Sequence, residues 1–453
     1  MVDNAHPGAT ISVPPGIYRE SIVINKPLVL VGQPGAEIRG SDVWSSWRRQ
    51  GRYWVGGTVP SLPTGNWPCM SGSDGRCRWP EQVFFDGKPL RQVAGSPRSG
   101  QFALDSDRRV LLADNPAGHT IEVTTRSFWI KAASEGVTVQ GFTMRHAASP
   151  AQRGAIDVRG YANWTIRGNV LSDVHGTVVY IDGPSNVNLL DNDISRGGQQ
   201  GVNGSGDGTL IRGNRIYDNN TEGFDPAWEA GGLKITRARN LIIDGNEAFN
   251  NDGPGLWCDI DCDGAVFTNN RAHHNARQGI AYEISHGGTI AGNAVWENGW
   301  GFSDWGWGAG ILCNTCDSTE IRDNIAAWNA DGIVVIAQDR ADGGAVVNTY
   351  VHDNLIVATD LPDNRYGRFG LAWLTDFPSD VDTPAANNRG ERNAYYYPTP
   401  EAGFMRFGWP GLETDSLDRF NTTPGEHDGR YVTADEADSR LAERGIPTEP
   451  EER

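Results

Sequence analysis

An asparagine returns at near-constant spacing through most of the chain, at Asn169, Asn192, Asn214, Asn246, Asn270, Asn293, Asn324 and Asn354. The steps are 23, 22, 32, 24, 23, 31 and 30 residues, a base period of 22–24 with three longer turns. A second asparagine follows five residues after the first in five coils running, at Asn219, Asn251, Asn275, Asn298 and Asn329. Periods of this length mark stacked solenoid coils. An Asn amide can bond its equivalent in the next coil and the turn backbone together, which satisfies a corner of each coil.

Between the corners lie short alternating segments that open on Gly: GLKIT at 232, GLWCDI at 255, GIAYEI at 279, GILCNT at 310 and GIVVI at 332. Alternation over four to six residues argues strands, and no helical period or leucine-rich consensus competes with it. The expected class is all-β: a right-handed parallel β-helix with an inserted antiparallel β module and a C-terminal capping helix.

Residues 1–40 read as first coils, through TISVPPGIYRESIVINKPLVLVG. Residues 41–126 break the ladder with pieces such as EQVFFDGKPLRQV and RRVLLAD, and read as an inserted, sandwich-like β module. The main β-helix is placed at 127–400 and a closing segment at 401–453. In the latter, Thr433 and Glu436 form a capping box for a helix to about Arg444, expected to cover the distal end, and the tail PTEPEER is expected to fray. An open coil end exposes strand edges, so a capping element is expected upstream of residue 1, and the missing signal peptide carries no information on location. A secreted or extracellular protein is the expectation, a cytoplasmic one the alternative.

The charge balance narrows the partners. Fifty-seven acidic residues stand against 39 basic ones, a net charge of −18, with lysine only at positions 26, 88, 131 and 234. Such a surface repels phosphate backbones and anionic lipid, so neither nucleic acid nor a membrane is an expected partner. A neutral ligand fits better than a polyuronate. No apolar run approaches the ~18 residues of a membrane span. The oligomeric state stays open.

Aligning the strands on the asparagines puts Lys234, Trp257, Asp259, Glu283, Ser285 and Asn314 on the outward face, with Asp259 and Glu283 at equivalent positions of consecutive coils. Neighbouring strands lie ~4.7–4.9 Å apart and retaining glycosidases hold two carboxyls ~5–5.5 Å apart, so the register supplies the separation. Mutual repulsion raises one pKa, leaving a proton donor beside an ionised partner. Loops of 18 residues (Asn214 to Gly232) and 17 residues (Asn293 to Gly310) replace the usual nine. They would wall a cleft with Trp228, Trp305 and Trp307 as stacking faces and Trp257 on its floor. The competing reading is a solvated acidic surface. A third treats Asp259, Asp261, Asp263 and Gly264 as the start of a calcium loop, whose twelfth position is Asn270 instead of Glu, so calcium is a possible ligand but no cofactor is assigned. The Cys69/Cys77, Cys258/Cys262 and Cys313/Cys316 pairs read as local disulfides, with structural zinc the alternative for the last two.

The segments EAGGLKI (229–235), GLWCDIDCDG (255–264) and GIAYEISHGG (279–288) resemble the β-helix glycoside hydrolases, most of all the retaining β-xylosidases of glycoside hydrolase family 120. That resemblance implies Asp259 as nucleophile and Glu283 as acid/base, with Lys234 and Glu229 beside the sugar. Asp261 is the fallback nucleophile, expected outward on the same strand, and Asn314 and His286 are expected to reach substrate. The reaction expected is hydrolysis of a neutral, pentose-like glycoside with retention. A polysaccharide lyase and a non-catalytic carbohydrate-binding module are the alternatives.

Overall fold

The computed structural model describes residues 1–183, 185–302, 304–340, 344–358, 369–398 and 406–451. The chain divides into two compact units, Met1–Gly204 with Asp218–Ala230, and Ser205–Tyr217 with Gly231–Arg453.

In the first unit, strands Ala9–Val13, Gly16–Tyr18 and Ile22–Ile24 make one coil, and Leu28–Gly32 stacks on Ala9–Val13 in parallel register, Ala9 opposite Leu28. The chain leaves this path at strand Ser41–Val43 and returns at Ile130–Ala132, which pairs with Ile22–Ile24 as Ile130 opposite Ile22. Between these points it builds a four-stranded and a five-stranded sheet, paired mainly antiparallel. Phe102, Val83, Val110, Leu112, Ile121 and Val123 are buried between them. Coils then resume, and Asn169 Nδ2 donates to Asn192 Oδ1 at 3.0 Å.

The second unit carries three columns of parallel strands, one running from Leu210–Arg212 to Arg389–Glu391, one from Arg215–Tyr217 to Arg430–Tyr431, and one from Gly231–Thr236 to Phe407–Trp409. The asparagines are its vertical stitching. Asn214, Asn246, Asn270, Asn293 and Asn324 each donate from Nδ2 to the next Oδ1 at 2.9–3.1 Å, while the same Oδ1 accepts the preceding Asn backbone N–H. The ladder runs one coil beyond the sequence expectation, from Asn354 to Asn393, and ends on the buried carboxylate of Glu426, which accepts from Asn393 Nδ2 at 2.9 Å and Tyr395 Oη at 2.5 Å. The second ladder links Asn251, Asn275, Asn298 and Asn329 in the same way.

The helix Ala434–Glu443 starts where the capping box puts it, with Thr433 Oγ1 accepting from Glu436 N. It lies on the side of the column instead of over its end: Ala437, Leu441 and Ile446 pack on Trp296, Ala327, Leu355 and Val357. Those outward apolar residues need cover, which explains the placement. The tail is held as far as Glu451, whose N–H donates to Glu297 Oε1 at 2.9 Å and whose carboxylate meets His274 Nε2 at 3.0 Å. Residues 452–453 lie outside the described residues.

Candidate active site

The strand column that opens with Gly231–Thr236 sets the site. Its register puts Leu233, Leu256, Ile280, Ile311 and Ile333 in one row and Lys234, Trp257, Ala281, Leu312 and Val334 in the next. A third row reads Thr236, Asp259, Glu283, Asn314 and Ile336. Asp259 and Glu283 are therefore direct neighbours on adjacent parallel strands, at the ~4.7–4.9 Å strand spacing.

Each carboxylate has its own cation. Lys234 Nζ lies 2.8 Å from Asp259 Oδ2 and 3.7 Å from the centroid of the Trp257 ring, so the ammonium bridges an anion and an aromatic face. Glu283 Oε1 accepts from Asn314 Nδ2 at 3.0 Å and from the Arg340 guanidinium. Asn314 also donates to Gln338 Oε1 at 3.0 Å, which orients its amide toward Glu283. The acid pair is thus flanked by one cation on each side, Lys234 beside Asp259 and Arg340 beside Glu283. Burial first, and then the neighbouring Asp259 charge, push the Glu283 carboxyl up to about 7, against the opposing pull of Arg340 and Lys234. Asp259 Oδ1 is buried without a hydrogen-bond partner among the described residues, an anionic oxygen with no assigned contact.

The outward face expected for the two acids is not open to solvent. Asp259 is 5% exposed and Glu283 8%. They do share the outer face, but that face is roofed. Trp305 and Trp307 lie against an apolar cluster of Trp257, Ala281, Leu312, Val334, Ile336 and Leu374. The loop backbone itself presses down at Gly306, which has φ +81°, and a Cβ there would stand 2.9 Å from Leu374 Cδ1 and 3.0 Å from Val334 Cγ1. Gln278 Nε2 holds the loop by donating to Trp307 O at 2.6 Å. Trp305 and Trp307 therefore serve as packed walls.

Four expected residues have other surroundings. Asp261 is not outward on the Asp259 strand: the strand ends at Asp259, and Ile260 (φ 55°) and Asp261 (φ 59°) turn left-handed, which leaves Asp261 exposed. The Cys258–Cys262 disulfide spans that turn. His286 ends strand Ile280–His286 and binds Asp317 Oδ2 through Nδ1 at 2.8 Å. Glu229 and Trp228 belong to the first unit, where Glu229 accepts from Gln152 and, at 3.1 Å, from Asn203 Nδ2, and Trp228 stacks on Trp67 with centroids 5.7 Å apart.

Among the described residues no three His, Cys, Asp or Glu side chains gather as a metal cage. Of the calcium-like run, Asp259 is committed to Lys234 and Asp261 lies on an exposed turn past the end of the strand. Cys69–Cys77 and Cys313–Cys316 are also disulfides. Arg340 and Gln338 are the site residues that the strand reading omits. Both follow the end of strand Asp331–Ala337, whose Ile336 stands opposite Asn314, so the strand pattern does not place them.

A family model described as a right handed beta helix region matches residues 154–311. No curated protein matches the chain in sequence. Among solved structures, "The complex structure of XylC with xylose" aligns with a TM-score of 0.66 at 15% identity, over 90% of this chain and 82% of that one. The Azotobacter vinelandii mannuronan C-5 epimerase AlgE4 A-module aligns with a TM-score of 0.51 at 12% identity, over 86% and 87%. These likenesses are of fold, and the fold is a right-handed parallel β-helix.

Proposed function

We propose that the chain is a retaining glycoside hydrolase acting on a neutral, pentose-like glycoside. The observation that carries this reading is the asymmetric carboxyl pair: two acids in strand register, one ion-paired with Lys234, the other raised to about 7. The β-helix fold hosts several carbohydrate chemistries, so the site and not the fold supports the choice. Asp259, held as the anion by Lys234 and with Oδ1 uncommitted, attacks the anomeric carbon. Protonated Glu283 gives its proton to the leaving oxygen, then as carboxylate takes one from the water that releases the glycosyl-enzyme ester. Asn314 and Lys234 orient the two carboxyls. The chemistry asks for two carboxyls and water, with no cofactor.

Entry of a sugar requires the Arg340 side chain, which is 32% exposed, to swing off Glu283 toward solvent. Three disulfides support a secreted protein, since such bonds persist in oxidising compartments. An oligosaccharide is the proposed partner.

The test is a screen of aryl β-xylosides, arabinosides and hexosides, with the first-formed anomer of the product followed by proton NMR. Release of sugar with the substrate's own anomeric configuration is expected. An inverted product would overturn the assignment of Asp259. An ultraviolet-absorbing unsaturated product from a polyuronate would instead make the protein a lyase.

A further inference from the structure

Cys258, Tyr282 and Cys313 occupy one row of the strand column that carries the carboxyl pair, each one residue before Asp259, Glu283 or Asn314. After those three residues the backbone bends the same way in every coil: Ile260, Ile284 and Thr315 have φ 55°, 46° and 50°. β-branched residues avoid this left-handed region, so a bend that recurs at one level of three stacked coils has to be held there.

Each bend has its own clamp. The Cys258–Cys262 disulfide encloses Asp259 and Ile260, and the Cys313–Cys316 disulfide encloses Asn314 and Thr315. On the middle coil, Ser285 Oγ donates to Glu283 O at 2.6 Å, and Tyr282 Oη lies 2.6 Å from His286 O and 2.8 Å from Cys262 O. Global stability is not the main effect of such short bridges. A cross-link acts chiefly by restricting the unfolded chain, an effect that shrinks with loop length, and here the bonded residues are four and three positions apart. All four cysteines are fully buried, so they are not poised as a switch for reductants in solution. What the bridges fix is local. Thr315 Oγ1 donates to Asn314 Oδ1 at 3.2 Å and accepts from Gln338 N at 3.2 Å, so the Thr315 bend orients the amide that donates to Glu283.

We infer that the Cys258–Cys262 and Cys313–Cys316 disulfides are positioning elements of the carboxyl pair, the first aiming Asp259 and the second, through Thr315 and Asn314, aiming Glu283. The catalytic part of this inference rests on the reading of that pair as nucleophile and acid/base; the geometric part does not. The two bridges act on Glu283 in opposite senses. Burial raises its pKa first and the Asp259 charge second, so freeing Asp259 lets it fall, whereas freeing Asn314 takes a donor from the carboxylate and lets it rise.

The experiment titrates Glu283 by carbon-13 NMR of protein labelled in its glutamate side chains, with Glu283→Gln identifying the resonance. The proteins compared are the unaltered chain, Cys258→Ala/Cys262→Ala, Cys313→Ala/Cys316→Ala and, as a control in the first unit, Cys69→Ala/Cys77→Ala. The midpoint should fall by at least ~0.5 pH unit in the first variant, rise by at least ~0.5 in the second and stay in place in the control. On 4-nitrophenyl β-xyloside the two bridge variants should lose ~10–100-fold in kcat with KM within ~threefold. Unless both midpoint shifts appear with these signs, the inference fails. It fails equally if thermal melts show that either bridge variant is unfolded under the titration conditions, which would make the bridges stability elements, or if kcat is untouched. Opposed shifts in a protein that turns over no glycoside would instead sink the catalytic reading and leave the positioning role standing.

Discussion

Replacing Glu283 by Gln separates the site's electrostatics from its chemistry. The carboxyl is 8% exposed and sits beside Asp259, and its folded pKa rises from 4.5 to about 7. The folded state therefore keeps a proton that the unfolded chain has lost throughout that window. More protons bound to the folded state means stability that falls as pH rises from about 4.5 and levels off above about 7. At ~1.36 kcal/mol per pH unit the whole fall is roughly 3 kcal/mol, and between pH 5 and 8 it is roughly 2–3 kcal/mol. Glu283→Gln cannot titrate, so its stability relative to the unaltered protein should improve by that amount between pH 5 and pH 8. Urea unfolding of both proteins at the two pH values measures it. The same variant should lose ~10²–10⁴-fold in kcat on substrates with poor leaving groups, the usual worth of a positioned general acid. Parallel pH profiles for the two proteins would refute the claim that burial and Asp259 strain this carboxyl.

If the acid form of Glu283 protonates the leaving group as proposed, turnover by the unaltered protein should fall as pH rises through about 7. Arg340→Met keeps the aliphatic cover but removes the cation that lowers the Glu283 pKa, so the alkaline limb of kcat/KM should move to higher pH; a limb that stays or moves down contradicts the assignment. Asn293→Ala strands the Asn270 N–H and the carbonyl of Phe267, and breaks the link to Asn324. At ~1–3 kcal/mol per orphaned buried group, a loss of at least ~2 kcal/mol is expected in denaturant unfolding. A loss under ~1 kcal/mol would mean that the ladder adds little to stability.

The coil architecture is legible because one residue type does one job at each corner, and Asn-to-Asn bonding writes that job into the sequence as a period. The reading stops at Asn354 for a physical reason. The next member, Asn393, is 39 residues on, and the ladder ends on a different residue, Glu426, that supplies the same acceptor. The carboxylate pair is legible from alternation alone, since strand register makes Asp259 and Glu283 neighbours. Their burial is not. It arises from the loop that Gly306 lets settle on the outer face and from Arg340, contacts between segments far apart in sequence. Asp261 is misread because alternation assumes that the strand continues, whereas two left-handed residues inside a disulfide loop end it. The helix Ala434–Glu443 is found from its capping box, but its seat is decided by the apolar stripe of Trp296, Ala327 and Val357, which the local pattern does not place.

The proposed retention requires that Asp259 form a covalent bond to the sugar. Incubation with a 2-deoxy-2-fluoro xyloside bearing a good leaving group, followed by mass spectrometry of the intact protein and its peptides, tests it directly. One fluoroglycosyl adduct per chain, carried by Asp259, is the predicted result. An adduct on Glu283 or Asp261, or steady turnover of the ordinary xyloside with no adduct formed, would contradict it.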